Sequence, residues 1–96
     1  MGRATLFLHE KFYLDDETVV EMKVWKVTND ERFPEGFKYS LFATREGRII
    51  IGYDNHHPKG HHCHKGMREY PYNFINIDYL IEDFLNDLMK EGGKKQ

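Results

Sequence analysis

One short segment of the chain holds most of the residues that could perform acid–base or metal chemistry. The segment YDNHHPKGHHCH runs from Tyr53 to His64 and contains five of the six histidines and the only cysteine. Histidine is the side chain whose unperturbed pKa lies near physiological pH, and neutral imidazole is a common metal ligand. The segment therefore indicates either proton transfer or metal binding.

His62 and His64 form the pair that could act on one group together. In an extended segment, residues two apart point to the same side, so both imidazoles would address one phosphate or one metal ion. In metal-independent RNA cleavage, a neutral imidazole removes the 2′-hydroxyl proton and a protonated imidazole supplies a proton to the leaving oxygen. Asp54 would fix the tautomer of one imidazole. This chemistry predicts an endoribonuclease that needs no metal or other cofactor.

Basic and aromatic side chains near the pair could hold an RNA substrate. Cations would stabilise the charge of the phosphorane that forms during cleavage, and aromatic rings commonly stack on unpaired bases. Tyr70 and Tyr72 are candidates for stacking, although tyrosines in such positions are more often packing residues. The candidate cations are Arg48, Lys59, Lys65 and Arg68.

A metal site is the alternative chemistry. His57, His62 and His64, with Asp54 as an oxygen ligand, would leave one coordination position open for water. Structural zinc sites usually draw paired ligands from two separate segments, whereas these candidates lie in one segment. The second hypothesis is therefore a non-enzymatic small domain that binds a metal or a partner. The first hypothesis assigns no metal ligand.

Several residues of the segment have a plainer interpretation. Because neighbours in an extended chain point opposite ways, His56 and His61 are expected to face solvent and Cys63 to face the core. Asp54 and Asn55 could form a turn that ends a strand. Five histidines in a polar segment nevertheless have no packing reason to cluster, so the functional interpretation is preferred.

The elements around this segment predict an α+β fold. Alternation of apolar and polar residues predicts an antiparallel four-stranded β-meander. The histidine-rich loop follows, and a C-terminal amphipathic helix then packs on one sheet face. The four strands are expected at about 5–14, 18–28, 37–45 and 48–54, the loop at 55–75 and the helix at 76–91.

A single helix can cover only one face of this sheet. Aromatic residues would partly line the other face, and an apolar patch on a small domain indicates a homodimer or partner surface. The long loop folding back over that face is an equally good alternative. Gly52 would mark a bend or a close backbone approach before the loop. The aromatic residues concerned are Phe7, Tyr13, Trp25 and Phe42.

Size and composition limit the classes of function. A chain of 96 residues with 40% hydrophobic content predicts one domain over 1–96. The net charge of -2 excludes a strongly basic protein, so RNA binding needs a local patch. A lone cysteine fits a reducing compartment, and no apolar run is long enough for a signal peptide or a membrane span. The expected location is the cytoplasm, without membrane association.

The order of these motifs resembles the TumE-like family of small toxins from prokaryotic toxin–antitoxin operons. The similarity rests on Tyr53-Asp54-Asn55 at a strand end, further histidines, and His62-x-His64 before an acidic helix. It implies a ribonuclease toxin of a type II toxin–antitoxin system, masked by a helix-turn-helix antitoxin. It also implies that His57 joins Asp54, His62 and His64 as a catalytic residue, and that Tyr53 and Asn55 contact the substrate. An inactive relative that only docks a partner remains a third hypothesis.

Overall fold

The protein is an antiparallel sheet with one C-terminal helix. The computed structural model describes residues 2–14 and 16–93, and within them the six strands follow one another in chain order across one sheet. The α+β class is confirmed, but the prediction of four strands was wrong because two further strands lie in the predicted loop. The elements are β1 Arg3–Tyr13, β2 Val19–Thr28, β3 Phe37–Arg45, β4 Arg48–Asp54, β5 His62–Lys65, β6 Arg68–Pro71 and α1 Ile77–Gly93.

The predicted loop over 55–75 is mostly a β-hairpin. β5 pairs with β4 and with β6, so the histidine segment extends the sheet instead of lying beside it. The turn between β5 and β6 has two residues and places Gly66 at φ 63°, which suits the first position of a type II′ turn. Because β5 and β6 have only four residues each and carry several charges, they lack the apolar alternation that marks a strand.

α1 covers one face of the sheet near β4. Asn76 caps its first turn, since its Oδ1 accepts a hydrogen bond of 2.8 Å from the Tyr79 amide. The predicted apolar stripe of the helix faces inward, and no helix in the described ranges is long and apolar enough to cross a membrane. The buried side chains of the stripe are Ile77, Leu80, Phe84 and Leu88, and the sheet residues they join in the core include Val24, Tyr39, Leu41, Ile51, Tyr53 and Cys63.

Two tyrosines join the sheet side to the helix by hydrogen bonds. The Tyr53 hydroxyl donates a short hydrogen bond to Asp87, and the Tyr72 hydroxyl donates one of 2.5 Å to Asp83. Burial is the main cause that raises the pKa of both phenols, and the bonded carboxylates raise it further. Both hydroxyls therefore stay protonated and keep donating over the ordinary pH range.

The opposite side of the sheet, named here the open face, is not covered by α1. Because side chains alternate along each strand, residues paired across the strands form rows on this face. One row runs from β1 to β6 through the paired residues His9, Lys23, Ser40, Asp54, His62 and Pro71. The next row contains Lys11, Glu21, Phe42, Gly52, His64 and Glu69.

Gly52 leaves room for the ring of Phe42 on the open face. A β-carbon at Gly52 would lie 2.2 Å from Cε1 of Phe42, so the Phe42 ring rests where a side chain would otherwise stand. The same ring lies 5.8 Å from the His64 ring, centre to centre. The close approach at Gly52 is thus made by an aromatic ring and not by another backbone as predicted, and it places this ring beside one of the candidate catalytic histidines.

Candidate active site

Asp54, His62 and His64 lie together on the open face. Asp54 ends β4 and pairs with His62 of β5, while His64 pairs with Gly52. The two imidazoles therefore lie on the same side of the chain as predicted, although an added strand and not a loop positions them. Glu69 of β6 pairs with His64 and completes what we call the histidine site, which consists of Asp54, His62, His64 and Glu69.

His62 has protein contacts at both ring nitrogens, a hydrogen bond at Nδ1 and two carboxylates within ion-pair distance of Nε2. Nδ1 lies 2.7 Å from the carbonyl oxygen of Gly60, and a carbonyl only accepts, so Nδ1 carries a proton. Nε2 lies 2.8 Å from Asp54 Oδ1 and 3.1 Å from Glu69 Oε2. Two carboxylates thus face Nε2, the ring nitrogen at which His62 could hold a second proton or a metal ion.

Asp54 is fixed by the backbone as well as by His62. Its Oδ1 accepts a hydrogen bond of 3.2 Å from the His56 amide, which is the turn expected at the end of this strand. The structural interpretation of Asp54 and its functional interpretation are thus compatible. A carboxylate held by the backbone is pre-oriented for a histidine partner.

His64 is the more accessible of the two histidines. Its side chain is 24% exposed, against 8% for His62, and its Nε2 lies 3.7 Å from Asp54 Oδ2. That distance exceeds a hydrogen bond, so this nitrogen is not committed to the carboxylate. The two rings lie 5.0 Å apart at 74°, close enough to address one small group.

The same atoms could bind a metal ion. One ligand atom from each of Asp54, His62 and His64 lies within 4.8 Å of the others. The bond from His62 Nδ1 to the Gly60 carbonyl fixes the tautomer that would leave Nε2 free to coordinate, as outer-shell partners of metal-binding histidines do. His57, the third histidine of the predicted metal set, is not part of this group.

Glu69 was missed in the sequence because it lies outside the histidine segment. It accepts hydrogen bonds of 2.9 and 3.1 Å from the Lys59 ammonium. This hydrogen bonding is the main cause that lowers the pKa of Glu69. The available signal was Gly66, since a two-residue turn there pairs His64 with Glu69. Of the four predicted phosphate-binding cations, Lys59 is next to the site and is paired with this carboxylate.

The other three predicted cations lie on the helix side of the sheet. The Lys65 ammonium is 3.5 Å from Asp87 of α1, and Arg68 is the register partner of Lys65. Arg48 lines, with Lys65 and Glu91 of α1, a cavity of about 540 Å³ on that side. The sheet therefore separates these side chains from the histidine site, because strand residues one apart point to opposite faces.

Three residues carried over from the family resemblance also lie away from the site. His57 is exposed, and its charge contributes to the low pKa of Asp30, which hydrogen bonds from Arg32 mainly cause. Tyr53 is buried beneath α1. Asn55 is buried too, where its Oδ1 accepts from the Tyr39 amide and its Nδ2 donates to the Phe37 carbonyl. These contacts give Tyr53 and Asn55 roles in packing.

Of the three segment residues given a plainer interpretation by strand alternation, two lie as expected and one does not. Cys63 is buried as predicted, and burial raises the pKa of its thiol. His56 is exposed as predicted. His61 was expected to face solvent, but its ring stacks on Phe74 at 4.8 Å and its Nδ1 lies 2.8 Å from the Tyr39 hydroxyl. An aromatic pocket therefore overrides the exposure expected of a loop residue.

Comparison with known protein families gives one clear result. The family described as toxin TumE matches residues 3–91, which include the whole sheet and nearly all of α1. Comparison with curated proteins gave no match, and neither did comparison with solved structures. Because the family match covers well over half of the chain, the protein belongs to the toxin TumE family.

Proposed function

We propose that the protein is the toxin of a type II toxin–antitoxin system and acts as a metal-independent endoribonuclease. Membership of a toxin family implies an antitoxin partner. The observation that supports the enzymatic part is the convergence of two imidazoles and a fixed carboxylate on one uncovered face, with His62 and Asp54 at 2.8 Å. Two imidazoles supply the base and the acid that RNA cleavage needs.

The geometry supports a different proposed role for each histidine. His64 acts as the base, because its Nε2 is accessible and is not hydrogen-bonded to Asp54. It takes the 2′-hydroxyl proton while that oxygen attacks the neighbouring phosphorus atom. His62 acts as the acid through a proton on Nε2, since Nδ1 donates to the Gly60 carbonyl and Nε2 lies 2.8 Å from Asp54 Oδ1. Its proton goes to the 5′-oxygen as the bond from phosphorus to that oxygen breaks, which leaves a 2′,3′-cyclic phosphate and a free 5′-hydroxyl.

The test is cleavage of end-labelled single-stranded RNA in the presence of EDTA by wild type, His64→Ala and His57→Ala. We expect wild type to leave 2′,3′-cyclic phosphate ends, and His64→Ala to be slower by roughly 10²-fold or more, the usual contribution of one acid or base. His57→Ala is the matched control, since His57 is exposed and lies outside the histidine site.

Either of two results would refute the proposal. One is wild-type activity that EDTA abolishes and a metal ion restores. The other is undiminished cleavage by His64→Ala, since the base would then be a different group. Circular dichroism of each variant separates loss of chemistry from loss of folding.

A second candidate function is metal binding without catalysis. It is favoured by the fixed tautomer of His62 and by the grouping of its Nε2 with Asp54 and His64. Zinc titration by calorimetry should then show one site per chain, lost in His64→Ala and retained in His57→Ala. Protein purified without added metal should also contain stoichiometric zinc. An absence of both signals would leave the ribonuclease proposal as the sole candidate of the two.

A further inference from the structure

The open face has a groove that leads into the histidine site. Its volume is about 310 Å³, and Asp54 belongs to both the groove and the site. The groove therefore continues directly from the position of the proposed chemistry toward β2 and β3. Its other lining residues include Lys23, Trp25, Lys38, Ser40 and His56.

The side chains of this groove match the chemistry of a single nucleic-acid strand. Trp25 is partly exposed and offers a flat aromatic surface, with the Lys38 ammonium 5.5 Å from its ring centre. Lys23 lies in the same row as Asp54 and His62. Bases stack on such rings and phosphates bind such ammonium groups, without any need for base-specific hydrogen bonds.

The negative charge near these lysines is already compensated. Glu21 is 2.8 Å from His9 Nε2 and 3.8 Å from the Lys23 ammonium. The hydrogen bond to His9 is the main cause that lowers the pKa of Glu21. At the other end, Asp54 is held by His62. Lys38 has no carboxylate among the contacts described for it, and its ammonium lies beside the Trp25 ring.

The other predicted phosphate-binding cations lie on the helix side or are already paired. Lys65 and Arg48 lie on the helix side, and Lys59 is bonded to Glu69. RNA held at His62 and His64 must therefore find its phosphate contacts on the open face. Lys23 is three strands from His62, which is about 14 Å at the usual strand spacing and within reach of a short oligonucleotide.

We propose that single-stranded RNA crosses the open face in this groove, with a base stacked on Trp25 and flanking phosphates bound by Lys23 and Lys38. The inference rests on the proposed ribonuclease function, because it gives that site its substrate path. It assigns substrate binding to residues of β2 and β3, which lie far in sequence from the histidine segment.

The test is fluorescence anisotropy of a labelled, non-cleavable 2′-O-methyl RNA 12-mer, with wild type and the variants Trp25→Ala, Trp25→Phe, Lys23→Gln and Lys38→Gln. Trp25→Ala should weaken binding by on the order of tenfold, and Trp25→Phe should restore most of it. Each lysine variant should lower the slope of log Kd against log salt by about 0.7. Arg68→Gln is the control, since that charge lies on the helix side.

The outcomes separate this inference from the proposed function. If the groove variants bind as wild type does, the inference is overturned, even where RNA is still cleaved in a His64-dependent way. If the groove variants lose binding while no RNA is cleaved by any form, the proposed RNA groove is supported and the ribonuclease proposal is refuted. Equal loss of affinity in Arg68→Gln would also overturn the inference, because it would show a dependence on total charge instead of on this groove.

Discussion

At the scale of single residues, the histidine site shows how one side chain can combine a structural role with a proposed chemical role. Asp54 Oδ1 accepts a hydrogen bond from the His56 amide in the turn that ends β4. The same oxygen lies 2.8 Å from His62 Nε2. Neither contact excludes the other, because a carboxylate oxygen has more than one lone pair. The turn that stops the strand thus also holds the carboxylate in position for the imidazole.

Asp54→Asn should impair RNA cleavage more than Glu69→Gln does. Asp54 lies closer to His62 Nε2, at 2.8 Å against 3.1 Å, and its side chain is 17% exposed against 35% for Glu69. We expect a loss of roughly 10- to 100-fold in kcat for Asp54→Asn, the range known for carboxylates that orient metal-bound histidines. The two variants are compared with wild type by their single-turnover cleavage rates. Equal effects would contradict the assignment of Asp54 as the main orienting group.

The sequence was sufficient to predict that His62 and His64 share one side of the chain and that Cys63 faces the core. Both predictions follow from the alternation of side chains along a strand. It could not show that Tyr53 and Asn55 are packing residues. Their burial depends on where α1 docks and on how the chain after β4 returns to β3, which are tertiary contacts without a local signal. The contacts of His61 with Phe74 and Tyr39 were missed for the same reason, because they too are tertiary.

At the scale of elements, the apolar pattern defined the long strands and the helix and missed the short ones. The predicted bounds of β3 and β4 agree with the structure, and the helix starts one residue later than expected. β5 and β6 are stabilised by pairing with a neighbour that already exists. Because such pairing is a nonlocal property, strands of four residues with charged side chains do not show it in sequence.

Gly52→Ala should disturb the packing of β3 on β4 at the histidine site. The new methyl group would lie 2.2 Å from the Phe42 ring, so the ring must move. Its contact with the His64 ring would change as a result. We expect a loss of about 1–3 kcal/mol in the free energy of unfolding, as for other overpacked sites, together with slower RNA cleavage.

The double variant Phe42→Ala with Gly52→Ala is the control for this prediction, because it removes the ring that the methyl group meets. It should cost less than the sum of the two single changes in urea unfolding. Additive costs would show that Phe42 and Gly52 are not coupled in solution.

The tyrosine contacts of α1 make the stability of the protein sensitive to alkaline pH. The pKa of Tyr53 and of Tyr72 is raised in the folded state, whereas the unfolded phenols titrate near 10. Their contribution is therefore complete below about pH 10 and is lost as the pH rises further toward the folded pKa. Urea unfolding at pH 8 and pH 10.5 should show this loss, and Tyr53→Phe should reduce it. Tyr13→Phe, an exposed site, should not.

At the scale of the whole molecule, the helix covers only part of a long sheet. The molecule measures 48 × 24 × 23 Å, and β1 is an edge strand of eleven residues. Exposed apolar side chains lie on it or next to it, among them Leu6, Phe7 and Tyr13. A long, uncovered edge with apolar side chains is a common site for pairing with another chain.

We expect this edge to support a homodimer. Sedimentation equilibrium should show self-association that rises with protein concentration and weakens in Phe7→Lys, because a charge there opposes burial. Tyr79→Lys is the matched control, since Tyr79 is exposed on α1. A wild-type protein that stays monomeric at all concentrations would contradict the expectation.

The alternation along β5 has a consequence for how such proteins can evolve. His64 faces the open side while Cys63 and Lys65 face the core and α1, so a substitution at His64 would remove the proposed base and leave the core side chains in place. Under the proposed function, one such substitution would cost a lineage its activity and leave the rest of the fold unchanged. A His64→Ala chain would then serve as non-toxic bait for isolating an antitoxin partner.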